Sequence, residues 1–208
     1  MKRVYLVRHG QTVGNLEQFS QTSDTPLTEA GHEGARAVAD RFSSLDVGQL
    51  LVSPFTRAQQ TAGYISEKID IPITTLDSLH ENLRPEAMRG KTYNEDTKDI
   101  FEGYYDNFWS DVSQYEGAES FSDILERIKS SLKSFEEQEA DSIAVVSHGD
   151  FLRMLVSHVL ADQSDDIGMH QKISDSMVRL SNVAITVIEK NEDKWQLKIY
   201  NDHAHFAE

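Results

Sequence analysis

Short apolar runs alternate with helix-length amphipathic stretches along this chain. Val4 to Val7, Gln49 to Val52, Ile71 to Leu76 and Ile143 to Val146 are too short for helices and read as buried strands. Ser181 to Glu189 and Trp195 to Tyr200 predict two further strands near the C-terminus. Thr28 is placed to cap a helix whose apolar face holds Val38, Phe42 and Leu45, with Glu29 at its positive end. Ser53 followed by Pro54 predicts a cap and first-turn pair for a helix with Ala58, Ala62, Ile65 and Ile69 on one face. Ser120 and Asp123 form a capping pair ahead of Phe121, Leu125, Ile128, Leu132 and Phe135, which step by helical intervals. A last helix is expected after Asp150, burying Leu152, Leu155, Val156 and Val159. This alternation predicts an α/β fold, a three-layer α/β/α sandwich with a largely parallel central sheet.

The pattern fades between about His80 and Gly117, where Tyr93, Phe101, Tyr104, Tyr105, Phe108 and Trp109 accumulate. Long stretches without periodicity inside compact domains are often lids or binding segments. Residues of about 80–117 are therefore expected to form a partly helical cap over the C-terminal strand ends, with a small satellite core of aromatics as the companion reading. The whole chain, 1–208, is expected to be a single domain, because its length suits one well-buried core.

Composition narrows the chemistry. There is no cysteine, which excludes a disulfide scaffold, a thiolate metal site and a cysteine nucleophile. Twenty Lys and Arg stand against 35 Asp and Glu, a formal net charge of −15, so neither nucleic acid nor an anionic membrane is an expected partner. The apolar run after Met1-Lys2-Arg3 is too short for a signal-peptide core or a membrane span, and the expected location is cytoplasmic. An anionic substrate is still compatible with this charge. Exposed carboxylates beyond a Debye length of about 8 Å are screened, so a local cluster of arginines can dominate a cleft.

Such a cluster is implied by position. Arg8-His9-Gly10 directly follows the first strand, Ser53-Pro54 with Arg57 the second, and Ser147-His148-Gly149 the fourth. The carboxyl ends of parallel strands form the ligand crevice of open α/β sheets, so these segments are expected to converge. Two histidines and two arginines would then share one pocket. His203 and His205 lack a carboxylate pattern and are read as part of a packed tail rather than a metal site.

Across nearly its full length the chain resembles the histidine phosphatase superfamily, also called the phosphoglycerate mutase-like family. Arg8-His9-Gly10-Gln11-Thr12 with Asn15 is similar to its opening motif, and Asp24-Thr25-Pro26-Leu27-Thr28-Glu29-Ala30-Gly31 to the loop that follows. Ser53-Pro54 through Arg57 to Thr61-Ala62 is similar to its second phosphate segment, Leu79-His80-Glu81 to the site of its acid, and Val146-Ser147-His148-Gly149 to its second histidine. The chain departs in three places. Gly14 stands where Trp often precedes Asn15, Gln21 stands where Gly is usual, and the segment after Glu81 reads Arg84-Pro85-Glu86-Ala87-Met88-Arg89-Gly90-Lys91.

The resemblance implies a phosphomonoester hydrolase that works through a phosphohistidine on a small phosphorylated metabolite, with no metal and no other cofactor. His9 would be the nucleophile, since a neutral imidazole presents a lone pair when its other nitrogen donates its proton. Arg8, Asn15, Arg57, His148 and Gly149 would bind the phosphoryl group, with His148 also catalytic. Glu81 would protonate the leaving alkoxide and then deprotonate water, and partial enclosure by the cap is expected to help it hold a proton. Phosphoglycerate mutase-type transfer is the rival, disfavoured because only Arg84, Arg89, Lys91 and Lys98 supply cations after Glu81. A non-catalytic phosphate-binding module is the third reading, disfavoured because His9, Glu81 and His148 are all present. The aromatic-rich cap suggests a phosphoester with an apolar part. Oligomeric state is not specified by any of these features.

Overall fold

Alternate residues of the first apolar run serve opposite faces of a sheet, which is why both faces must be covered. Val4 and Leu6 belong to one hydrophobic cluster, and Tyr5 and Val7 to another. A computed structural model describes residues 1–110 and 115–205. In chain order its elements are β1 (Lys2–Arg8), α1 (Val13–Glu17), α2 (Glu29–Phe42), β2 (Gln49–Val52), α3 (Thr56–Ile69) and β3 (Ile73–Thr75). There follow α4 (Lys98–Phe108), α5 (Phe121–Glu136), β4 (Ser142–Ser147), α6 (Gly149–Leu160), α7 (Ile167–Ser176), β5 (Ile185–Asn191) and β6 (Lys194–Asp202). Single 3₁₀ turns at Asp77–Leu79 and Glu86–Met88 interrupt the stretch between β3 and α4.

The strand order is β3-β2-β4-β1-β5-β6. The first four run parallel, and β5 and β6 are added antiparallel to β1 and to each other. Helices α2 and α3 cover one face through Val38, Phe42, Ala58, Ala62 and Ile65. Helices α5 and α6 cover the other through Ile124, Ile128, Phe135, Leu152 and Leu155. The result is the expected α/β/α sandwich.

Thr28 caps α2, accepting the Gly31 N–H at 3.1 Å, and Ser120 with Asp123 closes a reciprocal capping box at the start of α5. The Ser53-Pro54 expectation is overturned. Helix α3 begins at Thr56, its N-cap is Phe55 without a side-chain cap bond, and the Ser53 hydroxyl instead meets His148. The helix after Asp150 begins one residue earlier, at Gly149, and it is not the last. Helix α7 carries no apolar stripe, because the residues it buries are His170 and Ser174, so hydrophobic periodicity does not reveal it. The first of the two C-terminal strands starts at Ile185, the preceding residues forming a turn. His203 is exposed, so that part of the tail is not packed.

The 80–117 segment divides its aromatics. Met88, Phe101 and Tyr104 form a satellite core, while Phe108 and Trp109 also pack on the main one. Tyr93, Phe101 and Tyr105 line a cleft of ≈ 920 Å³ at the carboxyl ends of the parallel strands. Cap and satellite core therefore coexist in one segment, of which residues 111–114 lie outside the described part.

Candidate active site

The register of two parallel strands sets the centre of the site. Arg8 pairs with Ser147, so His9 and His148 leave adjacent strands side by side, with ring centroids 5.1 Å apart. Both are buried. His9 Nδ1 lies 2.7 Å from the Gly10 carbonyl oxygen, which only accepts, so the proton resides on Nδ1. Nε2 accordingly holds a lone pair and accepts the Arg57 Nε–H at 3.2 Å. Burial first, then the charges of Arg57 and Arg8, push the His9 pKa well below its ordinary value, which keeps this neutral tautomer.

His148 is held by Ser53, whose Oγ lies 2.7 Å from Nε2. The same Oγ accepts the Phe55 N–H at 3.3 Å and is free to give its own proton to the ring. His148 Nδ1 has no hydrogen-bond partner among the described residues. Burial, followed by Arg57, His9, His80 and Arg8, pushes this imidazole well below its usual pKa as well. Phe55 packs edge-on against His148 at 5.1 Å and stacks on His80 at 6.0 Å, fixing the far side of the ring.

The arginines are fixed by backbone groups. Arg8 Nη1 donates to the Leu180 carbonyl, and its Nε is buried without a partner among the described residues. A Cβ at Gly149 would come within 3.1 Å of that Nε, so the guanidinium packs closely over this glycine and would have to give by a few tenths of an ångström to admit a larger residue. Arg57 Nη1 donates to the Thr22 carbonyl at 2.8 Å, and burial together with Arg8 and Arg84 lowers its pKa to about 10 despite Glu81 nearby. Asn15 Oδ1 accepts the Thr12 N–H at 3.1 Å and Asn182 Nδ2 at 3.1 Å, which leaves the amide nitrogen for the cleft.

Glu81 sits at the N-terminus of α6. Its Oε1 accepts from Asn82 N at 2.9 Å and Phe151 N at 2.8 Å, and Oε2 accepts from Asp150 N at 3.2 Å. The longer, single contact leaves Oε2 a lone pair that can carry a proton. The loop bearing Glu81 is anchored by Arg127, which donates to the Ser78 and His80 carbonyls and to Glu119, and stacks 4.4 Å above the Phe151 ring. Glu119 in turn accepts the Leu83 N–H at 2.8 Å.

Arg8, His9, Asn15, Arg57, Glu81 and Gly149 all line one cleft, whereas His148, expected to share it, is fully buried beside His9 and is not part of the lining. Sequence reading missed Ser53 as the partner of His148, the Arg127–Glu119 anchor, Asn182, and three further cleft residues, Asp150, Arg153 and Arg179. For Ser53 the signal was present but doubled, because a serine two residues before a helix satisfies the capping pattern equally well. Among the described residues no three His, Asp or Glu side chains are grouped to hold a metal ion.

Residues 4–203 match the family model described as histidine phosphatase superfamily (branch 1). The chain belongs to this superfamily. A Bacillus subtilis (strain 168) relative named uncharacterized phosphatase PhoE is 28% identical over 209 residues, covering 100% of this chain and 98% of its own. A relative from Salmonella choleraesuis (strain SC-B67), named probable phosphoglycerate mutase GpmB, is 30% identical over 203 residues, covering 94% of this chain and 88% of its own. The solved structure of Bacillus stearothermophilus YhfR superposes with a TM-score of 0.82 at 23% identity, covering 99% of both chains, which shows the fold.

The two positions Gly14 and Gln21, at which the sequence departs from the pattern it resembles, are neighbours in space. A Cβ at Gly14 would fall within 2.3 Å of Gln21 Cγ, so the Gln21 side chain occupies the space vacated at position 14. Gln21 Oε1 also lies 2.7 Å from Thr12 Oγ1, which ties it to the capping box of α1. In addition, no helix of the described residues is long and apolar enough to cross a membrane.

Proposed function

We propose that the chain hydrolyses phosphomonoesters of small metabolites through a phosphohistidine at His9 Nε2. The observation that carries this reading is the pair of bonds on His9: Nδ1 gives its proton to Gly10 and Nε2 keeps its lone pair toward the cleft arginines. In the first step that lone pair attacks phosphorus as the bond to the leaving oxygen breaks, and a proton on Glu81 Oε2 passes to that oxygen. Arg57 exchanges its 3.2 Å contact with Nε2 for one with the phosphoryl oxygens, joined by Arg8, the Asn15 amide and the Gly149 N–H. His148 adds a donor at Nδ1 when its Nε2 accepts the hydrogen bond of the Ser53 hydroxyl, since the ring proton then sits on Nδ1. In the second step Glu81 takes a proton from water, the water oxygen attacks phosphorus, and the P–N bond breaks to restore the imidazole.

The guanidiniums supply the charge stabilisation, so the step as written needs no metal. A cleft of ≈ 920 Å³ is in the range that encloses a small metabolite. The mutase reading keeps one specific support, the 30% identical relative named as a probable phosphoglycerate mutase. The test is a brief incubation with ³²P-labelled phosphoester, quenched in alkaline denaturant. Wild type is expected to retain acid-labile label and His9→Ala none, with release of inorganic phosphate unchanged by EDTA. Absence of label from both proteins overturns the mechanism, and isomerisation of phosphoglycerate faster than its hydrolysis selects the mutase.

A further inference from the structure

A turn closes on the proposed phosphoryl cradle from the β5 side of β1. Residues 177–184 connect α7 to β5, and Leu180 and Asn182 of this connection line the cleft. Its hydrogen bonds converge on the segment that carries His9. The Leu180 carbonyl accepts from Arg8 Nη1, Val183 N donates to the Arg8 carbonyl at 2.9 Å, and Arg8 N donates to the Ala184 carbonyl at 3.3 Å. Asn182 Nδ2 spans two partners, donating to the His9 carbonyl at 2.9 Å and to Asn15 Oδ1 at 3.1 Å.

This turn is held in a costly shape. Val183 has a φ of 54°, in the left-handed region where a β-branched side chain crowds its own backbone. Strain of this kind persists only where the surroundings over-determine it. Here the determining contacts are on both sides. The Val183 side chain is buried in the cluster that holds Tyr5 and Val7, its N–H is tied to Arg8, and Ser181 N donates to Asn201 Oδ1 at 2.7 Å. Asn182 is thus fixed between two anchored neighbours.

The chemistry of the amide decides what Asn182 can do. Its nitrogen carries two protons, and both are directed to acceptors, the His9 carbonyl and Asn15 Oδ1. No donor remains for a phosphoryl oxygen. Turning the amide over would set its oxygen against the same two oxygens, so only one orientation satisfies the site. Asn15 Oδ1 is identified as the oxygen by Thr12 N–H, which also reaches it at 3.1 Å. We propose that Asn182 is a positioning residue: it locks the Asn15 amide with its nitrogen toward the phosphoryl group and holds that amide in register with His9. This rests on the phosphatase reading, which places the phosphoryl group there. The left-handed turn at Val183 keeps Asn182 from following its own preferences.

The experiment is a double-mutant cycle read by calorimetry with inorganic phosphate, which needs no turnover. Asn15→Ala is expected to weaken phosphate binding about tenfold or more, and Asn182→Ala severalfold. Because Asn182 acts through Asn15, the double variant should bind within about twofold of Asn15→Ala alone. A tie that is merely structural would instead multiply the two losses. Asn182→Leu, close in size and without a donor, replaces Asn182→Ala if that variant does not fold. In the folded wild type, side-chain amide NMR gives an independent reading: phosphate should shift the Asn15 NH₂ resonances more than those of Asn182. Multiplied losses, an unchanged phosphate affinity in the Asn182 variant, a larger shift at Asn182, or a wild type that binds no phosphate each overturn the proposal. Hydrolysis of p-nitrophenyl phosphate by the wild type is measured alongside. Coupling between the two asparagines without turnover sinks the hydrolase reading alone, and turnover with multiplied losses sinks the positioning role alone.

Discussion

Gln21 Cγ stands 2.3 Å from where a Cβ at Gly14 would be, so a side chain at position 14 requires Gln21 to move. The obstructing atom is near the base of the glutamine, not at its flexible end, and Thr12 holds the amide oxygen at 2.7 Å. Gly14→Ala is expected to destabilise the chain by about 1–3 kcal/mol through overpacking. Adding Gln21→Gly should restore most of that loss. A double-mutant cycle in urea checks it, and additive effects would show that the two sites are independent.

Glu81→Gln removes the proposed proton donor while keeping one oxygen able to accept the Asn82 and Phe151 N–H groups, at the loss of the longer Asp150 contact. Hydrolysis of an alkyl phosphate is expected to slow by about a hundredfold to ten-thousandfold, and p-nitrophenyl phosphate, whose leaving group needs little help, far less. Equal losses on the two substrates would remove Glu81 from acid catalysis.

Arg127 reaches the cleft lining at Asn82, whose Oδ1 accepts from its Nη2 at 3.3 Å, and it ties Ser78, His80 and Glu119 around the Glu81 loop. Its side chain and that of Glu119 are only 10% and 12% exposed. Arg127→Met is expected to cost about 3–5 kcal/mol, because it strands a buried carboxylate. If Arg127 positions Glu81, the protein that remains folded should show the same leaving-group dependence as Glu81→Gln. A loss of stability with no change in that dependence would make it purely structural.

His9 and His148 both have folded-state pKa values well below the ordinary 6.5. Folding therefore favours their neutral forms. The stability this supplies is complete above pH 6.5 and drains away as the pH falls, by at most about 1.4 kcal/mol per pH unit for each histidine. Urea unfolding between about pH 7 and pH 5 should show declining stability, with a shallower decline in His9→Gln. A profile flat over that interval in the wild type would contradict the burial of neutral imidazoles.

Local pattern was enough wherever an element's identity is written in its own residues. The apolar runs of β1, β2 and β4 announced the strands, and their following residues, His9, Arg57 and His148, announced the site. What escaped depends on where distant segments return. Helix α7 buries a histidine and a serine, and the chain leaving it delivers Arg179 to the cleft, a placement with no local signature. Tyr104 and Tyr105 are neighbours with similar chemistry, yet one is buried in the satellite core and the other lines the cleft. Their division follows from how α4 is rotated against its neighbours, which no count of aromatics discloses.

The pairing of Arg8 with Ser147 has a temporal side. Residue 9 emerges early in synthesis and residue 148 late, and they meet only once β4 has inserted between β1 and β2. A nascent or truncated chain lacking β4 would own the proposed nucleophile but not its companion. Recovery of turnover during refolding is therefore a clock for that single insertion event, and it should lag behind the local formation of helices.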